Sequence, residues 1–318
     1  MPLQDESGRI VGTFGLSRDI TERRRAEARL AQYAEELRRK NQELEEDLQM
    51  ARELQDALLP REYPCFPRDA IPRESALHFS HFFNPSAAVS GDFFDILPLS
   101  DTSAGIFICD VMGHGVRAAL VAAIVRALME EMRSVAGTPG EFIEHLNAKL
   151  CAILKQTEIP MFVSAFYVVA DLAQGELRYA NAGHPDPVCI RQKGAVRCTE
   201  NLNGSKRGPV LGMFDGAAYE TSQTALSVHD VLLLFTDGLF EVEGSDGELF
   251  DQQSLMRAVS QRAHLPADKI CTEVLAEIRS FSASDQFSDD VCLVAVEVER
   301  LDLTRSSPNR RKRSRQPR

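Results

Sequence analysis

Four apolar or aromatic runs in this chain begin or end at aspartate. They are "VSGDFFD" at Asp92, "FICDVMGHG" at Asp110, "LLLFTDG" at Asp237 and "FSDDVCLVAV" at Asp289 and Asp290. Each aspartate has a glycine or another acid within three residues. A carboxylate next to a buried run is costly unless it is paired or bound to a cation. One such residue is usually a turn residue or a helix cap. Four of them in one chain demand a fold that gathers the ends of several buried strands around something that compensates their charge.

The strands that would carry them are legible. "ALHFSHFFN", "DFFDILPLS", "AGIFICDV", "MFVSAFYVVAD", "GELRYANA", "DPVCIRQ", "AAYETSQTAL", "DVLLLFTDG" and "DVCLVAVEVE" read as strands. "GVRAALVAAIVRALMEEMRSV" reads as a helix with so few polar positions that it should be largely buried. "PGEFIEHLNAKLCAILKQ" and the stretches 251–263 and 267–282 read as further helices. Many strands arrive as hairpins rather than as strand–helix–strand units. The pattern predicts an α+β fold of mostly antiparallel sheets with helices packed outside. Residues 61–75, with Pro64, Pro67 and Pro72, read as a loop, and the glycine-rich stretch 200–216 as a mobile one.

Ahead of this domain, from Thr21 to Leu59, there is neither glycine nor proline, and Pro60 ends the stretch. Glu, Arg, Leu, Gln and Ala dominate, all good helix formers. Leu30, Leu37 and Leu44 recur every seventh residue; Tyr33, Leu48, Ala51, Leu54 and Leu58 continue the stripe, with Asn41 near a core position. A narrow stripe with charged flanks predicts a coiled coil and hence a homodimer; the competing reading is one amphipathic helix on its own domain. Residues 8–20, "GRIVGTFGLSRDI", read as one strand and a turn, which cannot stand alone as a domain. The expected organisation is 1–20 as the remnant of another domain, 21–59 as a helical linker, 60–300 as the main domain and 301–318 as a basic tail, "RSSPNRRKRSRQPR" at its end.

A net charge of -11 argues against nucleic acid as a main partner of the folded part. The basic tail reads as solvated, or as a dock for an acidic surface. Seven cysteines, an odd number without a C-x-x-C pair and mostly inside apolar runs, fit reduced core residues rather than disulfides or a zinc site. The start has no signal-peptide pattern, and the most apolar helix candidate carries Arg117 and Arg126, a poor membrane span. These features predict a cytoplasmic protein.

Carboxylates without a His/Cys cluster select hard ions, Mg²⁺ or Mn²⁺, over zinc. Four or five of them exceed what one such ion takes and favour two. Metals roughly 3.5–4 Å apart can share a water and lower its pKa from about 15.7 toward ~7, which supplies a nucleophile for phosphorus at neutral pH. The same cations neutralise the phosphoryl oxygens.

"SGDFFD", "DVMGHG", "FTDGL" and "DDV", with "LQDALLP" before them and "YANAGHPDP" between, resemble in order and spacing the SpoIIE-like branch of the metal-dependent Ser/Thr protein phosphatases. The resemblance covers about residues 50–299. It implies an α-β-β-α sandwich with two Mn²⁺ or Mg²⁺ ions between the ends of its two sheets. It implies that Asp110 bridges both metals, that the backbone carbonyl of Val111 adds a ligand, that Asp92 serves the first metal and that Asp237 and Asp289 hold the second. Asp95 and Asp290 would orient ligands or waters. It also implies a phosphorylated STAS-type anti-sigma-factor antagonist as substrate in a partner-switching pathway. Two positions depart from the family. Ser90 replaces the first of two glycines, and Met112 stands where eukaryotic relatives carry a proton-donor histidine. No match to their phosphate-binding arginine is visible. The N-terminal "GRIVGTFGLSRDITERRRAEARL" resembles the last strand and exit helix of a PAS sensor domain.

Other motifs weigh less. "GHG" at 113–115 lacks the Lys-Ser/Thr of a P-loop, so His114 and its glycines read as a tight turn into the helix. His184 reads as a turn histidine bonded to backbone, and Lys206 and Arg207 as solvated loop residues. The alternative function is a phosphatase-like binding module without turnover; against it, every implied ligand position is still aspartate.

Overall fold

The structure is a computed structural model that describes residues 1–13, 15, 18–156, 160–193, 196–202, 206–284 and 287–301. The basic tail, apart from Leu301, lies outside the described residues. In chain order the elements are β1 (Pro2–Gln4), β2 (Ile10–Thr13), α1 (Thr21–Asp56), β3 (Leu77–Asn84), β4 (Phe93–Ser100), β5 (Ser103–Val111), α2 (Val116–Glu131) and α3 (Pro139–Leu154). They continue with β6 (Val163–Asp171), β7 (Glu176–Ala182), β8 (Val188–Lys193), β9 (Val196–Asn201), β10 (Ser222–Ala225), β11 (Val231–Phe235), β12 (Val242–Glu243), β13 (Leu249–Phe250), α4 (Gln252–Gln261), α5 (Ala267–Phe281) and β14 (Val291–Val298).

Residues 1–50 form one unit. The lone strand expected at 8–20 is half of a hairpin, β1 with β2. Its turn is made by Asp5, whose carboxylate accepts from the main-chain N–H groups of Ser7 and Arg9, both at 3.0 Å. In α1 the expected stripe is present on the surface: Leu30, Leu37 and Leu44 are all exposed. Pairs such as Arg23–Glu27 at 2.7 Å and Arg39–Glu43 at 2.9 Å lie on the flanks. Each contributes only ~0.3–0.5 kcal/mol, too little to hold so long a helix without burial of its stripe.

The larger unit, from Ala51 on, contains two five-stranded antiparallel sheets. The first has the order β10-β7-β6-β5-β4 and the second β3-β14-β11-β8-β9. Strand alternation builds three apolar layers. Phe94, Ile106, Ile108, Phe166 and Val168 face Leu234, Val294 and Val296 between the sheets. Phe107, Cys109, Ala165 and Tyr167 point the other way, against α2 and α3. Val231, Leu233, Leu293 and Ala295 carry α4 and α5 on the far side. The result is the α-β-β-α arrangement. Tyr167 shows how tightly the outer layer closes: its ring stacks on Phe142 at 4.2 Å and its hydroxyl donates to the Ala136 carbonyl at 2.8 Å.

Three local expectations change. α2 is not largely buried, because only the faces toward the sheet and α3 are covered; Val116 is 46% and Leu120 61% exposed. The strand expected across 217–226 shortens to β10, and β9 appears as the polar hairpin partner of β8. The stretch expected as a mobile loop is tied down from Lys206 onward. Gly208 N–H donates to the Asn181 carbonyl at 2.9 Å, and Leu211 and Val163 exchange main-chain bonds at 2.8 and 3.0 Å.

Candidate metal centre

Antiparallel pairing puts the start of β4, the end of β5 and the start of β6 at one edge of the first sheet, since Phe93 pairs with Cys109 and Asp110 with Ser164. In the second sheet the end of β11 pairs with the start of β14, Phe235 with Leu293. By alternation Asp92 and Asp110 share the inter-sheet face with Phe94 and Ile108, and Asp290 shares it with Cys292. The two edges meet. Thr236 at the end of β11 donates its hydroxyl to Asp92 at 2.7 Å. Asp290 reaches across to the loop before β4 and accepts from Gly91 N–H at 2.7 Å and from Ser86 N–H and hydroxyl at 2.7 and 2.8 Å.

Two glycines allow this closeness. A Cβ on Gly91 would lie 2.8 Å from the Val111 carbonyl oxygen, so that oxygen is aimed at the loop carrying Asp92. A Cβ on Gly238 would lie 2.1 Å from the Asp290 carbonyl oxygen, so the turn holding Asp237 packs directly on Asp289–Asp290. Gly113 and Gly115, with φ of 82° and 81°, make the turn from β5 into α2, and His114 between them is exposed.

The acids feel one another. Burial, followed by the charge of Asp110, raises Asp92 well above the carboxylate range; the Thr236 hydrogen bond opposes this. Asp110 is pushed up to about 7 by burial and then by the charges of Asp237, Asp289, Asp290 and Glu241. Asp237 is raised by burial and by Glu241 and Asp289.

A family model described as Stage II sporulation protein E (SpoIIE) matches residues 100–299, more than half of the chain. The chain belongs to the SpoIIE family. Among relatives, phosphoserine phosphatase RsbP of Bacillus subtilis (strain 168) is 26% identical over 219 residues, covering 69% of this chain and 51% of its own. Phosphoserine phosphatase RsbU of the same organism is 24% identical over 255 residues, 79% of this chain and 71% of its own. The chain thus spans about half the length of RsbP and more of RsbU. The solved SiaA-PP2C domain of Pseudomonas aeruginosa superposes with a TM-score of 0.66 at 20% identity, over 81% of this chain and 98% of that one, which shows the shared fold.

In this SpoIIE-family domain the oxygen-only donor set fits a hard divalent cation: several acids whose ionisation is opposed by burial and by each other, beside a main-chain carbonyl. Among the described residues no group of three or more of these side chains is already close enough together to hold a metal ion. Asp92, Asp110, Asp237, Asp289 and the Val111 carbonyl all come to this end. Asp290 holds the loop before β4 through Ser86 and Gly91. Asp95 does not join them. Alternation turns it toward α2, where Arg126 stands 3.3 Å away, so it anchors a helix rather than a ligand.

Three residues at the site escaped the sequence reading. Thr236 sits inside "FTDG", where its order was visible but its bond to Asp92 was not. Glu241, exposed and four residues after Asp237, adds charge to both Asp110 and Asp237. Ser164 stands opposite Asp110 only because of strand register, which no local motif reveals. His184 also differs from expectation. Its ring is wholly buried and meets the Ser164 hydroxyl rather than only backbone.

Proposed function

We propose that this chain is a Mn²⁺- or Mg²⁺-dependent protein serine/threonine phosphatase with two ions per site. The observation that carries the reading is the convergence of Asp92, Asp110, Asp237 and Asp289 at the end of the inter-sheet layer, where burial and mutual repulsion raise the first three above the usual carboxylate range. Asp110, between the sheets and under the field of three other aspartates, takes the bridging position; Val111 offers its carbonyl. Asp92, held by Thr236, serves the first ion, and Asp237 with Asp289 the second. Asp290 keeps the loop before β4 in place. Bound ions would lower the pKa of a water and neutralise phosphoryl charge. The protein's own part is to hold these oxygens together at the end of the inter-sheet layer, Asp92 buried and steadied by Thr236, Asp110 and Asp237 part-buried, and Asp289 exposed.

The RsbP and RsbU likeness supports a phosphorylated regulatory protein of the STAS-type antagonist class as substrate. The exposed leucine stripe of α1 supports a parallel dimer, and the hairpin with its exit helix supports the end of a PAS-like sensor as the upstream piece. The test is release of phosphate from a phosphoserine protein or an aryl phosphate by purified chain with Mn²⁺. Asp110→Asn should abolish it; comparable turnover by that variant would defeat the assignment. Wild-type protein that binds a partner but shows no Mn²⁺-dependent turnover would instead be the binding module.

A further inference from the structure

Of the 36 residues of α1, one has a buried side chain, and it is polar: Gln55, 8% exposed. A buried amide is costly unless both its ends are satisfied. Here both are. Nε2 donates to the Ser90 carbonyl at 2.6 Å, and Oε1 accepts from the Ser90 N–H at 2.8 Å. Both partners are main chain, which fixes the orientation of the amide, because an N–H only donates and a carbonyl only accepts. Ser90 is itself fully buried. Gln55 and Ser90 both belong to the larger unit, 35 positions apart in the chain. Just after α1, Leu58 packs on the helix-side core and Leu59 on both that core and the inter-sheet core, so the end of the helix is seated.

A side-chain amide that takes the N–H and the C=O of one residue copies a rung of an antiparallel ladder. It fixes both peptide planes around Ser90. The loop needs such a partner, because residues 85–92 form neither helix nor strand and β4 starts only at Phe93. Ser90 passes the constraint on: its hydroxyl oxygen accepts from the Asp92 N–H at 3.0 Å. The Asp92 carboxylate is meanwhile held from the second sheet by Thr236 at 2.7 Å. Asp92 is thus fixed from two directions, its side chain from the end of β11 and its main chain, through Ser90, from the end of α1. Gly91 lies so close to the end of β5 that a Cβ there would stand 2.8 Å from the Val111 carbonyl oxygen. A shift of Ser90 is therefore passed to Asp92 and Val111 rather than absorbed between them.

We infer that Gln55 is a positioning residue for the metal centre: its amide sets the main chain of the loop that carries Asp92, and the last turn of α1 is a working part of the site. The inference rests on the phosphatase reading for its consequence at the ions, and not for the clamp itself. A residue that only filled space could be exchanged for methionine, which has similar length and no polar hydrogens, without effect on the loop.

The experiment uses the full chain as wild type, Gln55→Met and Ser90→Gly. Amide hydrogen exchange is read residue by residue on the metal-free protein. Wild type should protect the amide of Ser90, and Gln55→Met should lose that protection while β5 and β14 keep theirs. Ser90→Gly keeps the main chain that Gln55 grips, so protection at position 90 should survive while that of the Asp92 amide falls. This comparison stands even if Gln55→Met fails to fold. Mn²⁺ binding, read from free-ion paramagnetic resonance on folded protein, should weaken roughly 10- to 100-fold in Gln55→Met, the range for loss of a partner that orients a ligand. Turnover of an aryl phosphate should then need correspondingly more Mn²⁺, with KM for the phosphate nearly unchanged. An unprotected Ser90 amide in wild type, protection at position 90 lost in Ser90→Gly, or a Gln55→Met chain that is less stable to urea yet binds Mn²⁺ as wild type does would each overturn the inference. Wild type that neither binds Mn²⁺ nor turns over would defeat the phosphatase reading, and the metal-free exchange alone would then decide the clamp.

Discussion

Gly238→Ala adds one methyl group at the place where the acid-bearing turns of the second sheet touch. The new Cβ would stand 2.1 Å from the Asp290 carbonyl oxygen and 3.0 Å from its carbon, where ordinary contact begins at 3.4 Å, a shortfall of 1.3 Å at the oxygen. The obstacle is main chain, so no rotamer change relieves it. Gly238 follows Asp237 and Asp290 follows Asp289, so the relief must separate the two carboxylates that are proposed to share an ion. Mg²⁺ tolerates oxygens only near about 2.0–2.1 Å, and a separation of this size breaks a shared site. Overpacking of this kind costs ~1–3 kcal/mol of stability, which leaves the domain folded. Misplacement by about 1 Å costs ~10²-fold in rate. Urea unfolding without metal should therefore show a modest loss, while kcat with Mn²⁺ falls far more and the Mn²⁺ concentration for half-activation rises. A variant with normal Mn²⁺ activation and normal kcat would show that Asp237 and Asp289 need not act together.

Other outcomes follow from the same contacts. His184 has its folded pKa depressed from 6.5 to about 3. Its contribution to stability is present above pH 6.5 and is lost as pH falls toward 3, with a slope of about 1.4 kcal/mol per pH unit for one proton. The difference between wild type and His184→Gln in urea unfolding should show that slope with that sign, and a flat difference would contradict the buried neutral ring. Arg126→Met leaves Asp95, raised by burial and otherwise steadied first by Arg126, without its main cation. Stability should drop by ~1–3 kcal/mol, and less so in acid, where Asp95 is protonated. Leu37→Glu places a charge in the exposed stripe of α1. Sedimentation should move from dimer to monomer; a dimer that persists, or a chain lacking residues 1–50 that stays dimeric and equally active, would remove the linker from the regulation.

How far each feature could be seen in advance follows its range in sequence. The strands "AGIFICDV" and "DVCLVAVEVE" were visible because alternation and apolar content are local, and the structure places them as β5 and β14 almost to the residue. β9 was not, because "VRCTEN" is polar and exists as a strand only through its hairpin with β8. The hairpin at the start was half visible; the "DESG" turn signals it, but β1 is three residues long. Asp95 looked like a companion of Asp92, three residues away. One step in the two-residue period turned it to the opposite face and to Arg126.

The sequence by itself determined that acids stand at the ends of buried strands, that they are all oxygen donors, and in what order they come. Those facts are written in residue type and spacing. Only the tertiary structure decided which acids meet. Strand register set Ser164 opposite Asp110, and sheet packing brought Thr236 to Asp92, 144 positions apart in the chain. The same packing folded His184 inward, although its local context reads as a surface turn. Pairing between distant strands is a property of the assembled layers, and only those layers gather the acids.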